Sequence, residues 1–115
     1  EDAYRTMQAR ADRIEAGFKE AIAAAGLDWT VSRVGARLEV VFSPVPVRNA
    51  AEARAAASDT LEAALHLSML NLGYLLTPFH NMVLVSPALS EKQADGLVDA
   101  FLTVIGRLAE RRAAA

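Results

Sequence analysis

The chain has 115 residues, a formal net charge of −2 and no cysteine. This length allows one domain with a modest core, and we expect residues 1–115 to form that single domain. The near balance of charge gives no electrostatic basis for binding nucleic acid, the lack of cysteine excludes disulfides and thiolate chemistry, and no apolar run approaches the ~20 residues of a membrane span.

The first segment is predicted to be an amphipathic helix from about Asp2 to Ala25. Its apolar side chains recur at steps of three and four residues, the spacing of one helix face. Gly26 follows where a left-handed C-terminal cap is typical. The predicted apolar face consists of Tyr4, Met7, Ala11, Ile14, Phe18 and Ile22.

A β-hairpin is predicted next, from residues 29–34 and 37–42. Both runs alternate apolar and polar side chains, with Val41 as the exception, which is typical of strands with one wet face. Gly35-Ala36 fits a tight connection between antiparallel neighbours. The prolines in residues 43–46 end the second strand, because proline cannot donate to a ladder.

Two further helices have recognisable start signals. Asn49 supplies a capping acceptor and Glu52 follows three residues later, so we expect a helix that runs to about Asn71. Ser90 and Gln93 form a Ser-x-x-Gln capping box at the start of the last helix.

Two short apolar runs lie between these helices, at residues 74–76 and 82–85. Their lengths and turn-like flanks favour strands that are covered on both sides. The predicted order is therefore α-β-β-α-β-β-α. It indicates a two-layer α+β domain with a small, mostly antiparallel sheet and helices on one face.

A histidine and an asparagine interrupt the apolar stretch at residues 77–81, at the predicted corner between two strands. His80 and Asn81 could face a ligand from a loop that rigid strands hold in place. Alternatively, Asn81 caps a turn and His80 is solvated. Residue types and spacing leave both interpretations open.

The charged residues give fewer candidates. Arg33 and Arg37 flank the tight turn and could bind a carboxylate or phosphate in a fixed fork, or could be solvated strand charges. Lys19 and Lys92 are the two lysines, and both lie in polar settings that give no reason to lower an amine pKa. This chain alone should therefore form no Schiff base. The sequence has no His-x-x-x-His pair and no carboxylate pair at metal-ligand spacing, which disfavours metal catalysis.

Taken together, three stretches resemble the C-terminal small domain of class III pyridoxal-phosphate-dependent aminotransferases, in the glutamate-1-semialdehyde aminomutase-like branch. Their most specific parts are Arg33-Val34-Gly35, the Leu-x-x-Gly-Tyr-Leu-Leu-Thr-Pro run ending at Pro78, and the helix after Ser90. The stretches are RADRIEAGFKEAIAAAGLDWTVSRVGARLEVVFSP, PVRNAAEA and LHLSMLNLGYLLTPFHNMVLVSPALSEKQADGLVDAF.

The resemblance implies the small lobe of fold type I, packed against a large lobe that binds pyridoxal 5'-phosphate. It implies amino transfer between an amino acid or amine and a keto acid, in a cytoplasmic homodimer. The Schiff-base lysine would belong to the large lobe, so this segment alone is expected to be inactive and to contribute no catalytic residue. Its role would be to close the cleft.

The resemblance also implies that the segment after Pro78 approaches the substrate pocket. Aminomutases usually have a phenylalanine-glutamate pair there, whereas this chain has Phe79-His80-Asn81-Met82, which favours a transaminase. His80, Asn81 and Met82 are the expected substrate-binding residues, together with Arg33 and Arg37.

A second interpretation is a free-standing α+β module that dimerises or binds a small molecule without catalysis. Because the sequence begins at Glu1, already inside a helical pattern, we favour a fragment of a larger enzyme. A purely structural assembly domain built on the alanine-rich helices is a third, weaker possibility.

Overall fold

The computed structural model describes residues 2–114, which form four α-helices and one three-stranded antiparallel sheet. This arrangement confirms the predicted α+β class. The elements are α1 (Asp2–Ala25), β1 (Thr30–Val34), β2 (Arg37–Val41), α2 (Ala50–Ala56), α3 (Asp59–Asn71), β3 (Met82–Leu84) and α4 (Glu91–Ala114).

The sheet has the order β1-β2-β3, so β2 is its central strand. The predicted hairpin is confirmed: Val34 pairs with Arg37 across a two-residue connection, and Gly35 has the left-handed φ of 60° that this turn requires. On the other side of β2, Leu38 pairs with Val83.

The core lies between the sheet and the long helices. Helix α1 packs on both hairpin strands and on α4, and α3 packs on the other side of α4. At the centre, Phe18 and Phe101 stack with ring centroids 4.0 Å apart. Leu38 and Val40 of β2 complete this core and are almost fully buried. These side chains supply most of the favourable burial free energy of the fold.

The predicted helix over residues 50–71 is divided into α2 and α3. Ala57 takes an extended conformation, and the Ser58 hydroxyl accepts a hydrogen bond from the Leu61 amide at 3.3 Å. Ser58 followed by Asp59 is a second N-cap signal. It outweighs the helix propensity of the surrounding alanines and starts a new helix at this point.

The predicted strand at residues 74–76 is absent from the sheet, so the observed order is α-β-β-α-α-β-α. The Leu76 carbonyl lies 2.6 Å from Nδ1 of His66 in α3, which ties this segment to a helix. Leu75 is 71% exposed, whereas a strand covered on both sides was expected.

The capping box at the start of α4 is confirmed in both directions. The Ser90 amide donates to the Gln93 side chain at 2.9 Å, and the Gln93 amide donates to the Ser90 hydroxyl at 3.1 Å. Arg13 of α1 donates to both oxygens of Asp95, which lowers the pKa of that carboxyl and fixes the first turns of α4 against α1. None of the helices described in residues 2–114 is long and apolar enough to cross a bilayer.

A close approach between α1 and α4 gives a stability prediction. A Cβ on Gly17 would lie 2.5 Å from a methyl carbon of Val98, so we expect Gly17→Ala to destabilise the fold by about 1–3 kcal/mol despite the better helix propensity of alanine. The measurement is the free energy of unfolding in urea.

The double variant Gly17→Ala/Val98→Ala should recover part of that loss. Gly106 of α4 is a matched control, because nothing lies within 4 Å of its added Cβ and Gly106→Ala should stabilise by about 1 kcal/mol. A stabilised Gly17→Ala single variant would contradict the packing argument.

Candidate functional site

The loop between residues 77 and 82 is closed by its own hydrogen bonds. The Thr77 amide donates to the Met82 carbonyl at 3.2 Å, and the Met82 amide donates to the Thr77 hydroxyl at 2.9 Å. This closure requires a sharp reversal, and His80 and Asn81 both take left-handed φ values, 59° and 47°. Two successive non-glycine residues in this region store backbone strain, a feature that clusters at functional sites.

Asn81 is the buried polar residue of this loop, with only 2% of its surface exposed. Its Nδ2 donates to the Val40 carbonyl at 3.3 Å, and its backbone carbonyl accepts from the Val40 amide at 3.2 Å. Its Oδ1 has no hydrogen-bond partner among residues 2–114. Asn81 therefore anchors the loop to β2 and keeps one free acceptor in a buried position.

His80 points outward beside Asn81. Its side chain is 67% exposed, and Nδ1 lies 3.4 Å from a carboxylate oxygen of Glu39. Met82 follows directly, is partly buried and pairs with Glu39 across the sheet. The sheet register thus places His80 and Met82 on either side of one acidic residue.

A cavity of about 160 Å³ opens where this loop meets the junction of α2 and α3. His80, Asn81 and Glu39 line one side of it, and Glu62 and Arg54 line the other. Its apolar walls come from Val40, Val41, Phe42, Val47, Ala53, Ala56 and Ala57. The break between α2 and α3 shapes one wall, so the cavity depends on a feature that the sequence pattern did not predict.

Sequence reasoning missed Glu39, Glu62 and Arg54 as residues of this site. Glu39 sits on a strand that reads only as an alternating run, and the helix residues could be placed there only once the break at Ser58 was known. The one available signal was the second capping serine, followed by acidic residues.

The structure places Arg33 elsewhere. Its guanidinium donates to Asp12, to Glu15 at 3.0 Å and to the Gln8 side chain at 2.6 Å, all on α1. The hydrogen bond with Asp12 raises the pKa of Arg33 further. Arg33 thus fixes the hairpin to α1 and is not among the residues that line the cavity.

Arg37 is exposed at the turn end of β2, opposite Leu84. It does not line the cavity either. Of the five predicted site residues, the structure brings His80 and Asn81 together in one cavity, with Met82 next to them. It places both arginines at the other end of the hairpin.

The residues present do not fit a site for pyridoxal phosphate. Lys19 Nζ forms an ion pair with Glu15 at 2.8 Å on the surface of α1, and Lys92 is exposed in the first turn of α4. A Schiff-base lysine needs a desolvated setting that lowers the amine pKa, and neither lysine has one. In residues 2–114 no group of three side chains could hold a metal ion.

Comparisons with known proteins were made at the level of sequence and of structure. No protein family model matches the chain. Glutamate-1-semialdehyde 2,1-aminomutase of Anaeromyxobacter dehalogenans is 40% identical over 78 residues, which are 68% of this chain and 18% of that protein.

Among solved structures, a glutamate-1-semialdehyde-aminomutase from Pseudomonas aeruginosa PAO1 matches with a TM-score of 0.90 and 42% identity, over 94% of this chain and 24% of that one. A second structure of that enzyme is a complex with PMP. An omega-transaminase from Sphaerobacter thermophilus matches with a TM-score of 0.76 over 95% of this chain and 25% of its own, and at 18% identity it shares the fold alone. The chain thus spans about a quarter of the length of the solved relatives.

The Arg33 cluster gives a pH-dependent prediction through Glu15. Hydrogen bonds from Lys19 first, and then from Arg33, lower the pKa of Glu15 below 4.5. A carboxyl whose pKa falls on folding stabilises the fold above its unfolded pKa, and this stabilisation is lost as the pH falls through the folded pKa. Glu15→Gln should therefore cost about 1 kcal/mol near neutral pH and progressively less from about pH 5 to about pH 2.

Urea unfolding of both proteins across that pH range measures this difference. Glu20→Gln is a matched control, because Glu20 is an exposed residue of the same helix that lies outside the cluster. A Glu15→Gln deficit that stayed constant down to the lowest pH would contradict the ion-pair assignment.

The strained loop gives a second prediction. His80→Gly should raise the free energy of unfolding by about 0.5 kcal/mol, because glycine takes the left-handed conformation without a Cβ penalty. His80→Ala removes the same imidazole but keeps the penalty, so it should not stabilise. Equal stabilisation by both variants, measured in urea, would place the cost in the imidazole and not in the backbone.

Proposed function

From the premise that this chain is a homologue of part of glutamate-1-semialdehyde aminomutase, we propose that it acts as the C-terminal small lobe of a class III pyridoxal-phosphate-dependent aminotransferase. The resemblance stated from the sequence is confirmed by these relatives. The observation that carries the proposal is the match of 0.90 in TM-score at 42% identity over 94% of the chain. A likeness this extensive makes a chance similarity of small α+β lobes untenable.

The cofactor would be held by polypeptide outside this chain. When bound, pyridoxal phosphate supplies the electron sink that amino transfer needs. This lobe would contribute shape and orientation: α1 and α4 form a rigid base, and the closed loop at residues 77–82 presents His80 and Asn81 to the cleft. The segment alone is proposed to be inactive, since neither of its lysines has the environment of a Schiff-base amine.

The large lobe of the same enzyme is the proposed partner. Large apolar side chains are exposed along α3 and the segment that follows it, and a continuous exposed apolar surface typically marks an interface. Because the chain is about a quarter of its solved relatives, the remaining polypeptide is the natural occupant of this surface. The exposed residues are Leu67, Leu70, Leu72, Leu75 and Phe79.

We further propose that the parent enzyme is a cytoplasmic homodimer that acts on an amino acid or amine. A chain of 115 residues without cysteine suits a reducing compartment. His80, Asn81 and Met82 are the proposed substrate contacts, and the exposed Arg37 is a proposed carboxylate contact. For Arg33 we propose that any effect on substrate acts through the position of the hairpin.

Intermolecular transamination is the first candidate reaction, because Phe79-His80-Asn81-Met82 departs from the phenylalanine-glutamate pair of aminomutases. Intramolecular amino transfer is the second candidate. It is favoured by the identity of 40–42% to two aminomutases. The intact enzyme should be assayed with separate amino donors and keto acids and with an amino aldehyde. Turnover of a donor and acceptor pair supports the first, and isomerisation of the amino aldehyde alone supports the second.

Loss of both activities in the cofactor-loaded intact enzyme would overturn the proposal. It would leave the alternative of a free-standing module that binds or dimerises without catalysis. That alternative predicts that the complete gene encodes this domain without a lysine-bearing large lobe.

The loop makes a prediction about catalysis. Asn81→Gly keeps the left-handed backbone but removes the amide, so in the intact enzyme it should lower kcat/KM for the amino donor by about tenfold. Asn71→Ala, at the exposed end of α3, is the control and should leave kcat/KM unchanged. Cofactor absorbance should be the same in all three proteins. If every substrate constant of Asn81→Gly equalled that of the parent, the substrate contact would be wrong.

A further inference from the structure

The cavity beside Asn81 has an unusual combination of properties. Its walls are mostly aliphatic, yet a buried amide oxygen at Asn81 lines it without a hydrogen-bond partner among residues 2–114. A buried acceptor without a donor costs about 1–3 kcal/mol. A ligand that brings a donor to this position would remove that cost.

The charged residues around the cavity define which donor fits. Two carboxylates, Glu39 and Glu62, line it against one guanidinium, Arg54, so the lining carries a net negative charge when His80 is neutral. Glu39 is also the residue that His80 approaches at 3.4 Å, and its side chain is only 31% exposed. An anion would meet repulsion there, whereas a cationic donor would find acceptors.

We propose that this cavity binds a small primary alkylammonium ion, with the ammonium group donating to Asn81 Oδ1 and facing the Glu39 and Glu62 carboxylates. The aliphatic part of the ligand would lie against Val41, Phe42 and the other apolar walls. The volume of about 160 Å³ matches that requirement, because an apolar cavity of about 150 Å³ is known to hold a molecule the size of benzene.

An ammonium ion satisfies more of this lining than a neutral donor does. It has three N–H groups and can meet the amide oxygen and a carboxylate at the same time. Hydrogen bonds to charged acceptors are roughly twice as strong as neutral ones. The inference depends on the cavity of this chain and not on the aminotransferase proposal, so each can fail without the other.

The test is a titration of the 115-residue chain with isobutylammonium chloride, followed by backbone amide NMR shifts. Isobutyrate and isobutanol share the alkyl group and are the matched probes. We expect saturable shifts at Val41, Ala57 and Asn81 with the ammonium ion, weaker binding of the alcohol and no binding of the carboxylate.

Two variants assign the contacts. Asn81→Gly removes the amide while it keeps the backbone conformation, and Glu62→Gln removes one charge in a residue that takes no part in the loop. Each should weaken isobutylammonium binding by about fivefold. Glu20→Gln, on the surface of α1, should leave it unchanged.

The proposal is overturned if isobutylammonium does not bind or binds no better than isobutyrate. It is also overturned if the shifts map outside the cavity lining, or if Glu62→Gln binds as tightly as the parent chain. Should binding hold while the intact enzyme shows no amino transfer, the cavity assignment survives and the proposed function fails.

Discussion

The contact between α1 and α4 is the constraint on which the rest of the structure depends. Phe18 and Phe101 stack at its centre, and Gly17 lets Val98 approach so closely that no Cβ fits between them. Polar side chains at one end hold the same pair of helices, through Arg13 with Asp95 and Arg10 with the Leu89 carbonyl. Because the sheet and α3 both pack on this pair, the helix contact determines where β2 lies and, through β2, where the loop at residues 77–82 is held.

That loop combines rigidity with strain. Thr77 closes it through Met82, and Asn81 joins it to Val40 of the central strand, so its conformation is determined from two sides. This support maintains two left-handed residues, His80 and Asn81, that an isolated peptide would rarely adopt. The same loop faces the junction of α2 and α3, and the cavity arises between these two irregular parts of the chain. The site is therefore built from interruptions of regular structure on a regular base.

Local signals in the sequence were sufficient for most of the regular elements. The first helix has the predicted bounds, Gly26 and Gly35 have the positive φ values that their positions required, and the Ser90 capping box forms as written. Two predictions were wrong for different reasons. At Ser58 a capping signal competed with alanine propensity, and at residues 74–76 an apolar run was read as a strand although His66, a partner distant in sequence, binds it to a helix. The site was predicted only in part, because Glu39, Glu62 and Arg54 meet His80 through tertiary packing that leaves no mark in spacing.

The hydrogen bonds of Thr77 also affect the outer edge of the sheet. Alternate residues of an antiparallel strand bond to opposite neighbours, so in β3 the backbone groups of Met82 and Leu84 face away from β2. Thr77 occupies both groups of Met82, which leaves Leu84 as the one residue of this short strand with an open backbone pair. Another chain finds almost no ladder to extend there, and self-association by strand addition at β3 is suppressed without a proline or a charged residue in the strand.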